Sequence, residues 1–198
     1  MGRLEFRFFA QRLPALRQRL LGLYNIRAQE RRTDIYLQHR SCRQSFKLRG
    51  GQNLELKLHL GQAGGSERWH PIGSVPLPAR GVDLTGTFCG ADEFPVLQAH
   101  QVYASEDMIA AFRDLGHAAI TMHKLRVHLS APGAEIEIAH VNGAPGGPAE
   151  TVCIEAELAA PIESLRQVLG LESHRCESYP HWLLRQLAAA TEEPVRGS

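Results

Sequence analysis

Apolar and charged residues alternate with a period of two in six segments of this chain. They are Arg3-Leu4-Glu5-Phe6-Arg7, Ser45-Phe46-Lys47-Leu48-Arg49, Asn53-Leu54-Glu55-Leu56-Lys57-Leu58, Lys124-Leu125-Arg126-Val127-His128-Leu129, Glu135-Ile136-Glu137-Ile138 and Glu155-Ala156-Glu157-Leu158. Side chains alternate between the two faces of a strand, so each segment has one apolar and one charged face. The pattern predicts strands over residues 3–9, 32–39, 66–74, 118–129, 133–141 and 150–158. It also predicts a hairpin over 43–60, turning at Gly50-Gly51-Gln52-Asn53. Helical spacing appears at 14–23, where Pro14 suits a first helical position and Leu13, Leu16, Leu20 and Leu23 recur. Ser105 reads as the cap of a helix that stops at Gly116. Pro161 opens a helix with Ile162, Leu165, Val168 and Leu169 as its stripe, and Pro180 opens another with Trp182, Leu183 and Leu187. Residues 75–104 carry prolines and glycines without a clear period; one or two short strands are expected there. The tail from Thr191 is expected to fray.

Composition narrows the class. A chain of 198 residues that is 43% hydrophobic can build a real core. The formal net charge of +1 gives no bulk attraction to duplex nucleic acid or to a membrane surface. The four cysteines, Cys42, Cys89, Cys153 and Cys176, have no Cys-x-x-Cys spacing, which fits reduced thiols in a cytoplasmic protein. No signal peptide is visible, and no apolar run is long enough for a membrane helix.

The charged faces carry the chemistry. The only three lysines, Lys47, Lys57 and Lys124, all lie on the polar phase of alternating strands. Acids and bases segregate by strand, with Glu135/Glu137 and Glu155/Glu157 set against Lys47/Arg49 and Lys124/Arg126. Acids at i and i+2 point the same way, about 7 Å apart. Two such pairs on neighbouring strands make a carboxylate cluster, which an oxygen-seeking divalent ion such as Mg²⁺ or Mn²⁺ would relieve. Opposing arginines and lysines suit phosphate oxygens. The same charges could instead form cross-strand salt bridges or a solvated sheet face. The pattern leaves these open.

In the order of its elements and charged motifs the chain resembles the CYTH superfamily, the triphosphate tunnel metalloenzymes. The family's opening Glu-x-Glu-x-Lys strand corresponds to Arg3-Leu4-Glu5-Phe6-Arg7, and its Asp-x-Tyr to Asp34-Ile35-Tyr36. Its Arg-x-Arg strand corresponds to Lys47-Leu48-Arg49, and the following lysine strand to Leu54-Glu55-Leu56-Lys57. Lys124-Leu125-Arg126 stands for its later Lys-x-Arg, and Glu155-Ala156-Glu157 for its closing Glu-x-Glu. The resemblance implies an α+β fold: an eight-stranded antiparallel closed β-barrel with flanking helices, one domain over residues 1–190, and a disordered tail over 191–198. It implies metal ligation of Mg²⁺ or Mn²⁺ by Glu5, Glu155 and Glu157, with Glu137 standing in for an Asp that would fall near Ala139. It implies phosphate binding by Arg7, Lys47, Arg49, Lys57, Lys124 and Arg126, with Lys57 and Arg126 acting on the transferred phosphoryl group.

The function that follows is a divalent-metal-dependent phosphohydrolase acting on a triphosphate-containing small molecule. The expected partner is a small anionic metabolite, and the expected state a monomer or homodimer. Arg3, Arg7, Ala139 and Ser178 depart from the family motifs. They motivate an alternative: a tunnel protein that binds a phosphorylated or carboxylated metabolite, or runs a cyclisation or elimination on it. His59 and His128 lie on charged faces, in reach of proton transfer. His174, Cys176 and His181 have no established zinc spacing.

Overall fold

The computed structural model describes residues 2–192. In chain order the elements are β1 (Arg3–Ala10), α1 (Pro14–Leu23), β2 (Asn25–Gln38), β3 (Gln44–Arg49), β4 (Asn53–Ala63), β5 (Ser66–Pro76), β6 (Ala79–Arg80), α2 (Gly81–Phe88), β7 (Val102–Tyr103), α3 (Ser105–Asp114), β8 (Ala118–Ala131), β9 (Ala134–Asn142), β10 (Ala149–Ala156), α4 (Ala159–Leu169) and α5 (Tyr179–Glu192). Eight strands close into an antiparallel barrel in the order β1-β10-β9-β8-β2-β3-β4-β5, with β5 pairing back onto β1. The barrel fold implied by the family resemblance is therefore present. β6 and β7 form a separate two-stranded ribbon.

Alternation decides what lies on each side of the wall. On β1, Leu4, Phe6 and Phe8 face outward, where α1 and α4 cover them with Leu20, Ile162, Leu165 and Leu169. On β3 and β4, Phe46, Leu48, Leu54 and Leu56 face α2 and α3, meeting Leu84, Phe88, Met108 and Phe112. A third cluster sits inside the barrel wall at one end. There α5 lays Tyr179, Trp182 and Leu183 against Tyr36, Ile120, Met122, Ala139 and Val141. Phe9 stacks on Trp182, centroids 4.3 Å apart. Apolar residues thus move inward only where a helix covers them, and that end of the tunnel is plugged. The β3–β4 turn is made by Gly50 and Gly51, at φ 61° and 74°. Positive φ at both central residues is what a tight hairpin requires.

Several boundaries differ from the sequence reading. β2 starts at Asn25, not 32, because its first half is held by pairing to β8 and carries no apolar alternation. Within 75–104 the chain forms α2 beside the two short strands, a helix of only eight residues with two glycines in it. Ser105 is the first residue of α3, not its cap. Ala104 is the cap, its N–H donating to Asp107 at 2.8 Å, while the Ser105 hydroxyl donates to the Gly51 carbonyl at 2.6 Å. Val168 is half exposed and does not join the α4 stripe. Thr191 and Glu192 belong to α5, whereas the rest of the expected tail lies outside the described residues.

Candidate functional site

The inward charged faces enclose a cavity of about 390 Å³. All three lysines line it, so the charged phase is a tunnel lining and not a solvated sheet face. Arg7, Arg32, Arg49 and Arg126 join them, facing Glu5, Glu30, Glu55, Glu135, Glu137 and Glu155. The charges divide by strand. β1, β9 and β10 supply most acids; β2, β3, β4 and β8 supply most bases. Pockets for small ligands span about 300–1,000 Å³, so this one suits a small metabolite.

The deep half is internally neutralised. Lys124 Nζ donates to Asp34 Oδ2 at 2.9 Å and to the Tyr36 hydroxyl at 2.8 Å, and lies 3.9 Å from the Tyr179 ring centroid. Burial pulls Lys124 down to about 7 against the pull of Asp34, with the Lys47 charge helping to lower it. Burial alone would raise Asp34, but Lys124 and Lys47 override it and hold it at about 2. Arg7 donates to Glu5 at 2.8 Å and to Glu137 at 3.0 Å, and its guanidinium lies over the Tyr179 ring. Glu137 also takes Arg126 Nε at 2.7 Å and a second contact from the same guanidinium. Burial opposes its ionisation, yet Arg7 and Arg126 hold Glu137 well below the usual carboxylate range.

Nearer the mouth the balance is looser. Lys47 and Arg49 share Glu55, at 3.2 and 3.1 Å. Lys57 has no carboxylate within 4.0 Å among the described residues. Glu5 and Glu155 are register partners across β1 and β10. Burial and then the Glu5 charge raise the Glu155 pKa, opposed by Lys57. Arg3, about half exposed, reaches Glu135 at 3.7 Å and Glu155 at 3.8 Å.

The acids differ in their fitness for a metal. Glu137 has both oxygens committed to guanidinium groups. Glu30 is paired to Arg32 and Arg126. Only Glu5 and Glu155, with the Cys153 sulphur, offer donor atoms within 4.8 Å of one another among the described residues. Mg²⁺ is commonly bound by one or two carboxylates plus water and phosphate oxygens. The Glu5–Glu155 pair fits one such ion, and the raised Glu155 pKa marks a carboxylate short of positive charge. Among the described residues no second group of three donors lies this close together.

Most sequence-predicted site residues meet here: Glu5, Arg7, Lys47, Arg49, Lys57, Lys124, Arg126, Glu137 and Glu155. Glu157 does not. β10 ends at Ala156, and Glu157 is exposed in a separate surface depression with Arg3 and Arg27. Ala139 is part of the apolar plug. Glu30 and Arg32 were missed, although Glu30-x-Arg32-x-Asp34-x-Tyr36 is itself a period-two series; Ser178 and Tyr179, which stand where the family often has Ser-Lys-Tyr, also line the tunnel. Glu67 was missed too. It is buried and accepts from Trp69 Nε1 at 3.0 Å and the Ser178 N–H at 3.3 Å, and contacts His181 Nδ1 at 3.0 Å. That network ties α5 to β5. His128 lines the tunnel 3.5 Å from Glu30, whereas His59 packs on Trp69. His174 stacks on Phe8, and the Cys176 thiol donates to the Glu5 carbonyl, so neither forms a metal cluster with His181.

No family model and no curated protein matches this sequence. Solved structures do. A conserved hypothetical protein from Pyrococcus furiosus is 18% identical with a TM-score of 0.58, covering 93% of this chain and 99% of its own. The PH1012 protein of Pyrococcus horikoshii is 16% identical with a TM-score of 0.58, covering 93% and 98%. The PH1819 protein of the same organism is 16% identical with a TM-score of 0.50, covering 92% and 99%. They share with this chain a fold, here the closed eight-stranded antiparallel barrel. At these identities the likeness concerns the fold alone. Among the described residues no helix is long and apolar enough to cross a membrane.

Proposed function

We propose that the tunnel binds a small metabolite bearing a phosphate chain and hydrolyses it with the help of one divalent ion, Mg²⁺ or Mn²⁺, held by Glu5 and Glu155. The observation that carries this reading is the division of charge across the cavity. An acidic wall, with a half-buried Glu155 beside the Arg7-paired Glu5, faces a basic wall whose Lys57 has no carboxylate within 4.0 Å among the described residues. Lys57, Lys47 and Arg49 would take phosphate oxygens on the open side. Arg126 and Arg7, fixed by Glu137, would present positive charge that needs little reorganisation as the phosphoryl group is transferred. An ion at Glu5 and Glu155 would supply Lewis-acid neutralisation of phosphate charge. The apolar plug covers the far end, so a phosphate chain would enter from the Arg3–Glu135 side. The test is phosphate release from tripolyphosphate. It should require Mg²⁺ or Mn²⁺, stop with chelator, and collapse in Glu155→Gln and Lys57→Ala. Failure across inorganic triphosphate, thiamine triphosphate and nucleotides sinks hydrolysis.

One set of contacts favours a second reading, a binding or non-hydrolytic tunnel protein. Arg3 reaches two of the mouth acids, and Glu137 is clamped by two guanidinium groups. Both reduce the acid left for a metal. Thermal stabilisation by tripolyphosphate that persists in chelator, without turnover when metal is restored, would select it.

A further inference from the structure

We propose that Cys153 is a third metal ligand beside Glu5 and Glu155, and that its sulphur makes the tunnel site take a zinc-class ion in preference to Mg²⁺. The inference rests on the ion position proposed above and names the group that governs which ion fills it. Cys153 lies two residues before Glu155 on β10, so both side chains point to the tunnel side of the strand. Its register partners are Arg7 on β1 and Glu137 on β9, and both of those line the cavity. The thiol itself is fully buried in the wall behind them.

The spacing of the donors fits one ion. Glu5, Glu155 and Cys153 each offer an atom within 4.8 Å of the other two. Cys153 Sγ stands 3.8 Å from Glu155 Oε1. Sulphur and oxygen on one tetrahedral zinc, with bonds of about 2.3 and 2.0–2.2 Å, lie about 3.5 Å apart. Closing that pair therefore takes a few tenths of an ångström. Outside the trio the thiol has no hydrogen-bond partner among the described residues. Arg7 takes Oε1 of Glu5, and Arg3 reaches Glu155 through Oε2. Each acid keeps one oxygen clear of a guanidinium.

The donor types select the ion. Mg²⁺ prefers oxygen alone, and carboxylates and water also suit Mn²⁺. Thiolate sulphur selects zinc and similar ions. Two carboxylates by themselves would favour the first class, and the sulphur moves the same pair toward the second. Binding sends the thiol proton to solvent, because the ligand is the thiolate. A zinc-class ion here occupies the position that hydrolysis would need, so it acts as an inhibitor of the tunnel.

The test uses the full chain, metal-free, with Cys42→Ser, Cys89→Ser and Cys176→Ser, so that Cys153 is its sole thiol. Cobalt(II) is the probe. It should bind at one ion per chain and show a near-ultraviolet thiolate-to-cobalt charge-transfer band. Zinc should abolish the band, and a large excess of Mg²⁺ should not. Adding Cys153→Ser should remove the band and weaken zinc binding by more than the about 10–100-fold that loss of an outer partner costs. Adding Glu155→Gln should remove it too. Circular dichroism checks the fold of each, and the band in the parent decides the matter where a variant fails to fold. No stoichiometric uptake, uptake without the band, or zinc affinity unchanged in Cys153→Ser overturns the third ligand. Phosphate release is scored apart. Release from tripolyphosphate with Mg²⁺ but no band sinks the thiol ligand alone, whereas the band without release under any ion sinks the hydrolytic reading alone.

Discussion

The two halves of the tunnel use the same residue types to different ends. In the deep half every described acid has a guanidinium or ammonium partner: Asp34 has Lys124, and Glu137 has Arg7 and Arg126. Aromatic rings of Tyr36 and Tyr179 pack against the cations. At the mouth, Glu155 sits beside Glu5, which Arg7 pairs on one oxygen only, Lys57 has no carboxylate within 4.0 Å among the described residues, and Arg49 and Glu135 are about half exposed. Burial makes the difference. A charge removed from water must be paired, whereas one near the opening is part-solvated and left available. The deep ions therefore shape and rigidify the tunnel, and the mouth ions are the ones a ligand can neutralise.

The largest expected effect lies in the deep half. Glu137→Ala leaves Arg7 facing Thr151 and Glu5 alone and unpairs the Nε of Arg126. Removing one partner from a buried pair costs about 3–5 kcal/mol, so denaturant melts should show a large loss of stability. A loss below about 1 kcal/mol would mean that the two halves do not differ in kind. Lys57→Ala should do the opposite. Its stability change should fall within about 0.5 kcal/mol. Affinity for tripolyphosphate by calorimetry should fall about 10–100-fold, the worth of one charged hydrogen bond.

Lys124 sharpens the comparison, because it is deep yet titrates near neutrality. Its folded pKa of about 7 lies below the usual 10.5, so the native state binds fewer protons than the unfolded chain between those values. Stability should therefore rise with pH across that window, as far as Lys124 contributes. Anion affinity should fall through about pH 7, by about tenfold or less, as the ammonium is lost. Lys124→Arg should flatten both profiles. Opposite signs from one residue distinguish it from a surface lysine, which would move neither.

The fold was legible because alternation and closure are coupled. A strand with full charges along one face needs either water or a lumen, and the confinement of every lysine to those faces pointed to the lumen. α1, α3, α4 and α5 were legible from helical spacing with proline starts or a glycine stop. The first half of β2 was not, since Asn25-Ile26-Arg27-Ala28-Gln29 is placed by its pairing with β8 and by no apolar stripe. α2 was hidden by its length and by Gly81 and Gly86. At the site, position along a strand gave the inward phase of Lys47, Lys57, Lys124, Arg126, Glu5 and Glu155. It could not show that β10 stops one residue before Glu157, nor that the plug covers Ala139. Neither could it reveal Glu67, whose distant partners, Ser178 just before α5 and His181 within it, lie 111 and 114 residues away.

The smallest expected effect tests the mouth itself. Burial and the Glu5 charge raise the Glu155 pKa above its usual 4.5, so the native state holds this proton where the unfolded chain has lost it. Stability should fall as pH rises through the window just above 4.5, since there the unfolded state binds fewer protons. Glu155→Gln removes the repulsion and the fall together. In chelator, the variant should melt no lower than the parent at pH 7, and higher by at most about 2–4 °C, corresponding to about 1 kcal/mol in a chain of this size. At pH 4 the two should converge. Added Mn²⁺ should then reverse the order, stabilising the parent and leaving the variant unmoved. Were Glu155→Gln to melt lower than the parent in chelator, the carboxylate would already be satisfied by Arg3 and Lys57. The mouth would then be as self-contained as the floor, and the contrast between the two halves would fail.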